Sequence, residues 1–378
     1  MGERFMKKKY DVAAFVWPSY TGDEPRTRMF WTEGYGEWQT VHNAKKNSGR
    51  KPANYQWDRR PLWGYVNEAN PDVMEMEIAC AARHGVNVFI YDWYWYDGRP
   101  FLENCLNDGY LKAKNNDQVK FYLMWANHDV THMWNVELSS YTNEVIWRGY
   151  ADMPEFKKIV DRWITKYFCH PSYYKIDGKP VLMVYDVFNF VKGFGGIEGT
   201  KQAIAYFREE VKKAGYPDVH LQVVTRNGSL KTDNPFGGEM DYYRDIGFDS
   251  GSEYQMIGLI KNKTDFMDYE ACMSAMKQQY ADMEAQKDVC YFPHVSLGWD
   301  NNIRYKEFTT PVLQDATPEK VEKAFRMAKE YVDMHDLPVP LVTVNSWNEW
   351  TENSYLQPDS LNGYAYLEAL KRVFVDEE

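Results

Sequence analysis

Eight short apolar runs recur along the chain: Asp11–Trp17, Val86–Trp93, Val119–Ala126, Pro180–Tyr185, Val219–Thr225, Ile246–Tyr254, Val289–Leu297 and Pro340–Trp347. They are near-continuous rather than alternating, the pattern of parallel strands buried on both faces. The sixth, IGFDSGSEY, is the least apolar. Between the runs lie stripes at i, i+3, i+4 spacing that predict amphipathic helices. They are Val73/Met76/Ala79/Ala82; Phe156/Ile159/Val160/Trp163/Ile164/Tyr167, opened by Pro154; Ile204/Phe207/Val211; Met276/Tyr280/Met283; Val321/Ala324/Phe325/Ala328/Tyr331; and Tyr364/Leu367/Leu370/Phe374. Gly85 and Gly215 fall where helix C-caps need a left-handed residue. This strand–helix alternation predicts an α/β protein, a (β/α)₈ TIM barrel rather than a doubly wound sheet.

No linker, repeat or low-complexity stretch divides the chain, so residues 1–378 are expected to form a single catalytic barrel domain, with 1–9 outside the fold. The stretch from Pro18 to Asn70 is a long loop after the first strand. Its Trp31, Trp38, Trp57 and Trp63 suggest an ordered cover over the site.

Composition narrows the function. Trp, Tyr and Phe number 14, 29 and 19. Aromatic faces pack against the C–H faces of sugar rings while their polar edges meet hydroxyls, so the excess points to a carbohydrate partner; an aromatic-rich core is the plainer alternative. A net charge of −11 argues against nucleic acid. The five cysteines are scattered, imply neither a disulfide framework nor a zinc site, and are expected to be buried thiols. No Gly-rich phosphate loop or metal-ligand cluster is visible, so no cofactor or metal is expected. The N-terminal apolar run is too short for an export signal, and no segment is long enough to span a membrane. The expected location is the cytoplasm, or the periplasm or cell surface if a signal has been removed.

A barrel places its active site at the C-terminal ends of its strands. That rule selects Asp92, Trp93, Tyr94 and Trp95 after the second strand; Trp125, Asn127 and His128 after the third; Tyr185 and Asp186 after the fourth; and Thr225, Arg226 and Asn227 after the fifth. Glu253 and Tyr254 end the sixth, Trp299, Asp300 and Arg304 follow the seventh, and Trp347, Asn348, Glu349, Trp350 and Glu352 follow the eighth. Trp38 of the long loop joins this substrate-binding set. Glycosidic cleavage needs one carboxyl to protonate the leaving oxygen and another group to meet the developing positive charge. Glu349 and Glu352, three apart, would sit close together on one turn of helix, nearer the retaining than the inverting spacing. The alternative is a solvated first turn of the last helix, where Glu is common. His128 is a hydroxyl partner, a base or a structural histidine; His294, inside a strand, reads as structural. Asp300 and Arg304 either cap the site or pair with each other.

The segment VNSWNEWTENSYLQPDSLNGYAYLEAL resembles the closing motif of WbsX-like proteins, which carry a glycosyltransferase label and are related to glycoside hydrolase family 99. EGYGEWQTV, GVNVFIYDWYWYDGRPFLE, FYLMWANHD, IDGKPVLMVYD and GWDNNIR extend the resemblance over most of the chain. It implies a (β/α)₈ barrel that cleaves α-mannosidic bonds with retention and without metal. Glu349 would engage the sugar 2-hydroxyl, which attacks C1, and Glu352 would serve as acid and then base. Two positions depart from the family pattern: Asn353 stands where Gly is usual, and Gln357 where Glu is usual. The expected function is a retaining glycoside hydrolase, with a WbsX-type glycosyltransferase or a non-catalytic sugar-binding barrel as alternatives. The absence of a DxD triplet weighs against the transferase.

Overall fold

The computed structural model describes residues 10–22, 24–48, 51–55, 57–137, 144–286 and 288–377. The expectation for residues 1–9 lies outside these. Eight parallel strands build the core: β1 (Asp11–Val16), β2 (Val88–Tyr96), β3 (Lys120–Trp125), β4 (Lys179–Val184), β5 (His220–Val224), β6 (Ser250–Ser252), β7 (His294–Ser296) and β8 (Leu341–Asn345). They pair in the order β6-β5-β4-β3-β2-β1-β8-β7. The seam between β6 and β7 is closed by main-chain bonds: Gly251 N donates to Cys290 O at 2.9 Å and Phe292 N to Gly251 O at 2.9 Å. The fold is a TIM barrel.

Two strands are shorter than their apolar runs. Ile246 belongs instead to a helical turn, Tyr242–Ile246, that stops at Gly247 with φ of 92°. In the seventh run, pairing with β8 starts at His294, directly after Pro293.

The outer layer contains α1 (Pro71–His84), α2 (Met153–Arg162), α3 (Ile197–Lys213), α4 (Tyr269–Glu284), α5 (Pro318–Met334) and α6 (Ala365–Lys371). Gly85 caps α1 at φ of 95°. The predicted stripes of α2 to α5 face the barrel: Phe156, Phe207, Met276 and Phe325 are buried. Helix α1 is turned relative to its predicted stripe. Met76 is 39% exposed, whereas Met74, Glu77, Ile78 and Ala81 point inward. The cause is Glu77, an acidic residue that the patterning rule places in water but that is buried in hydrogen bonds. Tyr364 of the last stripe is also exposed, while Leu367, Leu370 and Phe374 are buried.

The stretch from Pro18 to Asn70 is largely structured, with helical turns at Pro25–Met29, Trp38–His42 and Ala44–Ser48. Trp31, Trp38 and Trp57 are buried and Trp63 packs against Trp347. All five cysteines are free; Cys105 and Cys272 are buried, but Cys169 is exposed, contrary to expectation. Among the described residues no helix is long and apolar enough to cross a membrane.

Candidate functional site

Side chains alternate across each strand, so only every second residue at a strand end faces the barrel axis. The inward set floors a cavity of about 330 Å³ at the C-terminal mouth: Trp17, Asp92, Tyr94, Met124, Ala126, His128, Tyr185, Arg226 and Tyr254. Phe15 lies beneath, edge-on to Tyr254 with ring centres 4.8 Å apart. Met133 and Trp134 close one wall, and Asp129, Asp186, Arg304, Glu349 and Glu352 complete the lining.

The chemistry is organised by Arg304, which is 4% exposed. Its Nε donates to Glu37 Oε1 at 2.8 Å, its Nη2 to Glu349 Oε1 at 2.9 Å, and its Nη1 to Glu352 Oε1 at 2.9 Å. Neighbouring nitrogens of one guanidinium therefore hold Glu349 and Glu352 side by side, a fork geometry that lysine cannot supply. Glu37 also receives the Trp17 indole N–H and the Ser19 hydroxyl. Glu349 Oε1 takes a further bond from Thr351 Oγ1 at 3.0 Å, whereas Glu352 Oε2 is buried with no partner.

Three carboxylates around one cation would leave two uncompensated negative charges in a dry site. Burial pushes the Glu349 carboxyl well above its usual range, with Glu352, Glu37 and Asp92 adding to the rise against the opposing pull of Arg304. Burial likewise raises Glu352, again against Arg304. Asp92 is raised well above its ordinary value by burial, and its Oδ1 has no partner while Tyr254 donates to Oδ2 at 3.3 Å. On the far wall Arg226 stacks over Tyr185, 4.6 Å from the ring centre, and pairs with Asp186 at 3.3 Å. His128 is lowered by burial, and its Nδ1–H donates to Asp129 O at 3.0 Å.

Of the residues selected from sequence, the structure gathers Asp92, Tyr94, His128, Tyr185, Asp186, Arg226, Tyr254, Arg304, Glu349 and Glu352 around this one cavity. The others lie elsewhere. Trp93 donates to Glu103 and packs on Trp163, Trp95 stacks on Trp93, and Trp125 packs on Phe156; all three occupy the barrel–helix interface. Asn127 clasps the Asp186 backbone, donating to its O at 2.7 Å and accepting from its N at 2.8 Å. Asn227 lines a different cavity, and Glu253 is consumed by Thr225, Gly228 N and Gln279. Trp299 is partly buried outside the cavity lining. Asp300 bonds to Asn302 and not to Arg304. Trp38 backs Trp350, and Trp347 and Asn348 bond to Glu77 and Glu68 behind the site. His294 is held by Thr343 and Ser296 inside the barrel, as expected of a structural histidine, and burial lowers it to about 3.

Sequence reading missed Trp17, Glu37, Asp129 and Trp134. Inward parity flags Trp17, two residues beyond Phe15 on β1, and Glu37 stands within the EGYGEWQTV segment. Asp129 and Trp134 lie beyond the third strand, in a stretch whose course no periodicity encodes.

The local backbone also differs from the predicted helical turn. Asn348–Glu349 forms a short bridge with Ser354–Tyr355, and Trp350–Glu352 is a single tight turn ending at Asn353. Asn353 has φ of 57°, the left-handed region where Gly is easiest and Asn next, so both residues fit this position. A Cβ at Gly298 would fall 2.2 Å from the Asn353 carbonyl, so this glycine permits close approach of the two loops. Asn353→Gly should keep stability within about 0.5 kcal/mol, whereas Asn353→Val should lower it by about 1–2 kcal/mol, read from urea unfolding.

Fold and cavity together define a (β/α)₈ barrel with a carboxylate-lined cavity at its C-terminal mouth. Its family is the one described as Glycosyltransferase WbsX, to which this chain belongs: the family model matches residues 12–370. A curated relative, WxcX of Xanthomonas campestris pv. campestris (strain B100), described as uncharacterized, is 23% identical over 372 residues, covering 96% of this chain and 49% of the relative. The chain thus spans about half the length of the curated relatives it matches. Among solved structures, a glycoside hydrolase family 99 endo-α-mannosidase from Bacteroides thetaiotaomicron superposes with a TM-score of 0.56 at 14% identity, over 98% of both chains. A protein described as glycoside hydrolase-like gives 0.59 at 14% identity, over 99% of this chain and 97% of the other. At these identities the likeness is one of fold.

Proposed function

We propose that this chain is a retaining glycoside hydrolase whose working carboxylates are Glu349 and Glu352, acting on a glycan and to be tested first on α-mannosidic linkages. The observation that carries the reading is the pair of buried carboxyls fixed by one guanidinium on the wall of a barrel-mouth cavity. Such a pair keeps one proton near neutrality. Hydrogen bonding supports Glu352 as its holder, because Oε2 there has no partner while Glu349 Oε1 accepts from both Arg304 and Thr351.

In the first step Glu349 takes the proton of the sugar 2-hydroxyl as O2 attacks C1. The C1–O bond to the leaving group breaks, and Glu352 gives its proton to the departing oxygen. In the second step Glu352 removes a proton from water, which attacks C1; the C1–O2 bond breaks and O2 recovers its proton from Glu349. Two inversions give net retention, and holding the 2-hydroxyl against C1 exploits intramolecular proximity. Asp92 and Tyr254 are placed to meet hydroxyls, with Trp17, Tyr94 and Trp134 as ring platforms.

The family description favours a second reading, transfer from an activated sugar donor. A mass-spectrometric screen separates the two, offering α-mannans, other bacterial polysaccharides and nucleotide-sugar donors to the protein. Hydrolysis products of retained anomeric configuration are expected. Transfer from a nucleotide donor that persists in both Glu349→Gln and Glu352→Gln would overturn the proposal.

A further inference from the structure

Behind the cavity, away from the substrate, lies a second acidic pair. Glu68, at the end of the long loop, and Glu77, on α1, both have 0% exposure. Among the described residues, every polar side-chain group that bonds to their carboxyls belongs to the segment bearing Glu349 and Glu352, save one thiol. Asn348 Nδ2 donates to Glu68 Oε2 at 2.9 Å and Oε1 at 3.1 Å. Trp347 Nε1 donates to Glu77 Oε2 at 2.8 Å. Gln357 Nε2 lies between the two, 3.0 Å from Glu68 Oε1 and 3.2 Å from Glu77 Oε2, while its Oε1 accepts the Trp350 indole N–H at 2.7 Å. The exception is Cys105 Sγ, 3.7 Å from Glu68 Oε2. The contacts thus grip residues 347, 348, 350 and 357, which bracket both working carboxylates.

The pair's charge is unbalanced. Among the described residues no Lys, Arg or His bonds to either carboxyl; His84, on the same helix as Glu77, faces Cys80 and Glu368 instead. The other titratable side chains facing the pair are Cys105, Tyr91 of β2 and Cys80 of α1, none of which supplies a positive charge. Two adjacent buried carboxylates without a cation cannot both ionise cheaply. The donors mark which one is charged: Glu68 accepts at both oxygens, whereas Glu77 accepts only at Oε2 and its Oε1 has no partner.

We propose that Glu68 and Glu77 are a proton-sharing positioning pair, with Glu77 as the protonated member, which holds the catalytic segment in place through Trp347, Asn348 and Gln357 only while that proton is kept. Burial also raises both carboxyls above the ordinary carboxylate range. Loss of the proton sets two charges against each other across the Gln357 amide and loosens the anchors of Trp347 and Trp350. The proposal rests on Glu349 and Glu352 as the working carboxylates, but the pair can be tested without substrate.

Glu77→Gln is the decisive variant, because an amide reproduces the neutral acid in shape and hydrogen bonding. In a Glu349→Gln, Glu352→Gln background, infrared difference spectra between acid and alkaline pH should show a buried protonated-carboxyl band that Glu77→Gln removes. The melting temperature of the wild type should fall as pH rises from the unfolded carboxyl value of about 4.3 to the raised folded one, and that of Glu77→Gln should stay level. With an active substrate, Glu77→Gln should keep kcat on the acid side within about threefold and move the alkaline limb of the kcat profile up by about one pH unit. Glu68→Gln should lower kcat at every pH, since its amide N–H would oppose those of Asn348 and Gln357. An unchanged infrared band, or equal loss of kcat by Glu77→Gln at all pH values, would overturn the proposal. If no glycoside is cleaved at all, the infrared and melting measurements still decide the pair, and the failure belongs to the hydrolase reading.

Discussion

Arg304→Met should destabilise the protein by about 3–5 kcal/mol at neutral pH, the range for removing one partner of a buried ionic network. The guanidinium is the single cation bonded to Glu37, Glu349 and Glu352 among the described residues. Without it, three buried carboxyls face one another uncompensated. The pH dependence has a defined sign. Burial already holds Glu349 and Glu352 above the ordinary carboxyl range, and loss of Arg304 removes the interaction that opposes this. A carboxyl whose folded pKa is raised costs nothing while protonated in both states. It costs stability as pH climbs past the unfolded value of about 4.3 and through the folded one. The destabilisation should therefore be larger at pH 8 than at pH 5, as read from urea midpoints at both. Arg304→Lys should fall between wild type and Arg304→Met, because an ammonium cannot reach three carboxylates in a plane. A pH-independent loss would mean that packing, not charge, is what Arg304 supplies.

Glu349→Gln and Glu352→Gln should each lower turnover by about 10²–10⁴-fold, the range for a positioned acid or base. The two should differ by leaving group. An activated aryl glycoside departs with little proton assistance, so Glu352→Gln should recover much of its rate there, whereas Glu349→Gln should stay slow because O2 still has to be deprotonated. Both variants should melt at or above the wild-type temperature at neutral pH, since each removes one of three carboxyls crowded on a single cation. Loss of activity with gain of stability is the mark of a strained functional site, and separates it from a structural ion pair. Equal loss on both substrate types would rule out separate roles for the two residues.

The barrel was readable because its evidence is local. Continuous apolar runs and helical stripes report burial directly, and six stripes located the six main helices. Where the rule failed, at α1, the fault lay in assuming that Glu77 faces water. A stripe drawn through Met74, Ile78 and Ala81 needs an acidic residue inside, and nothing adjacent in sequence shows that Trp347 and Gln357 receive it. Strand-end candidates were over-collected for a related reason. Trp93, Trp95, Trp125 and Asn127 sit one residue out of phase with Asp92, Tyr94, Met124 and Ala126, and parity carried along each strand from its interior residues separates the two sets.

Glu349 and Glu352 stand out as a spaced pair in an aromatic setting, and their motif marks the closing strand of the barrel. Their arrangement as a pair held by one guanidinium is not encoded in that spacing. It depends on Arg304, 45 residues before Glu349 in the chain, and on Glu37, 267 residues from Arg304. Periodicity and propensity act over a few residues, so they specify strands, helices and the faces they bury. Charge compensation in a buried site is a balance among groups brought together by barrel closure, and no one of those segments carries it alone.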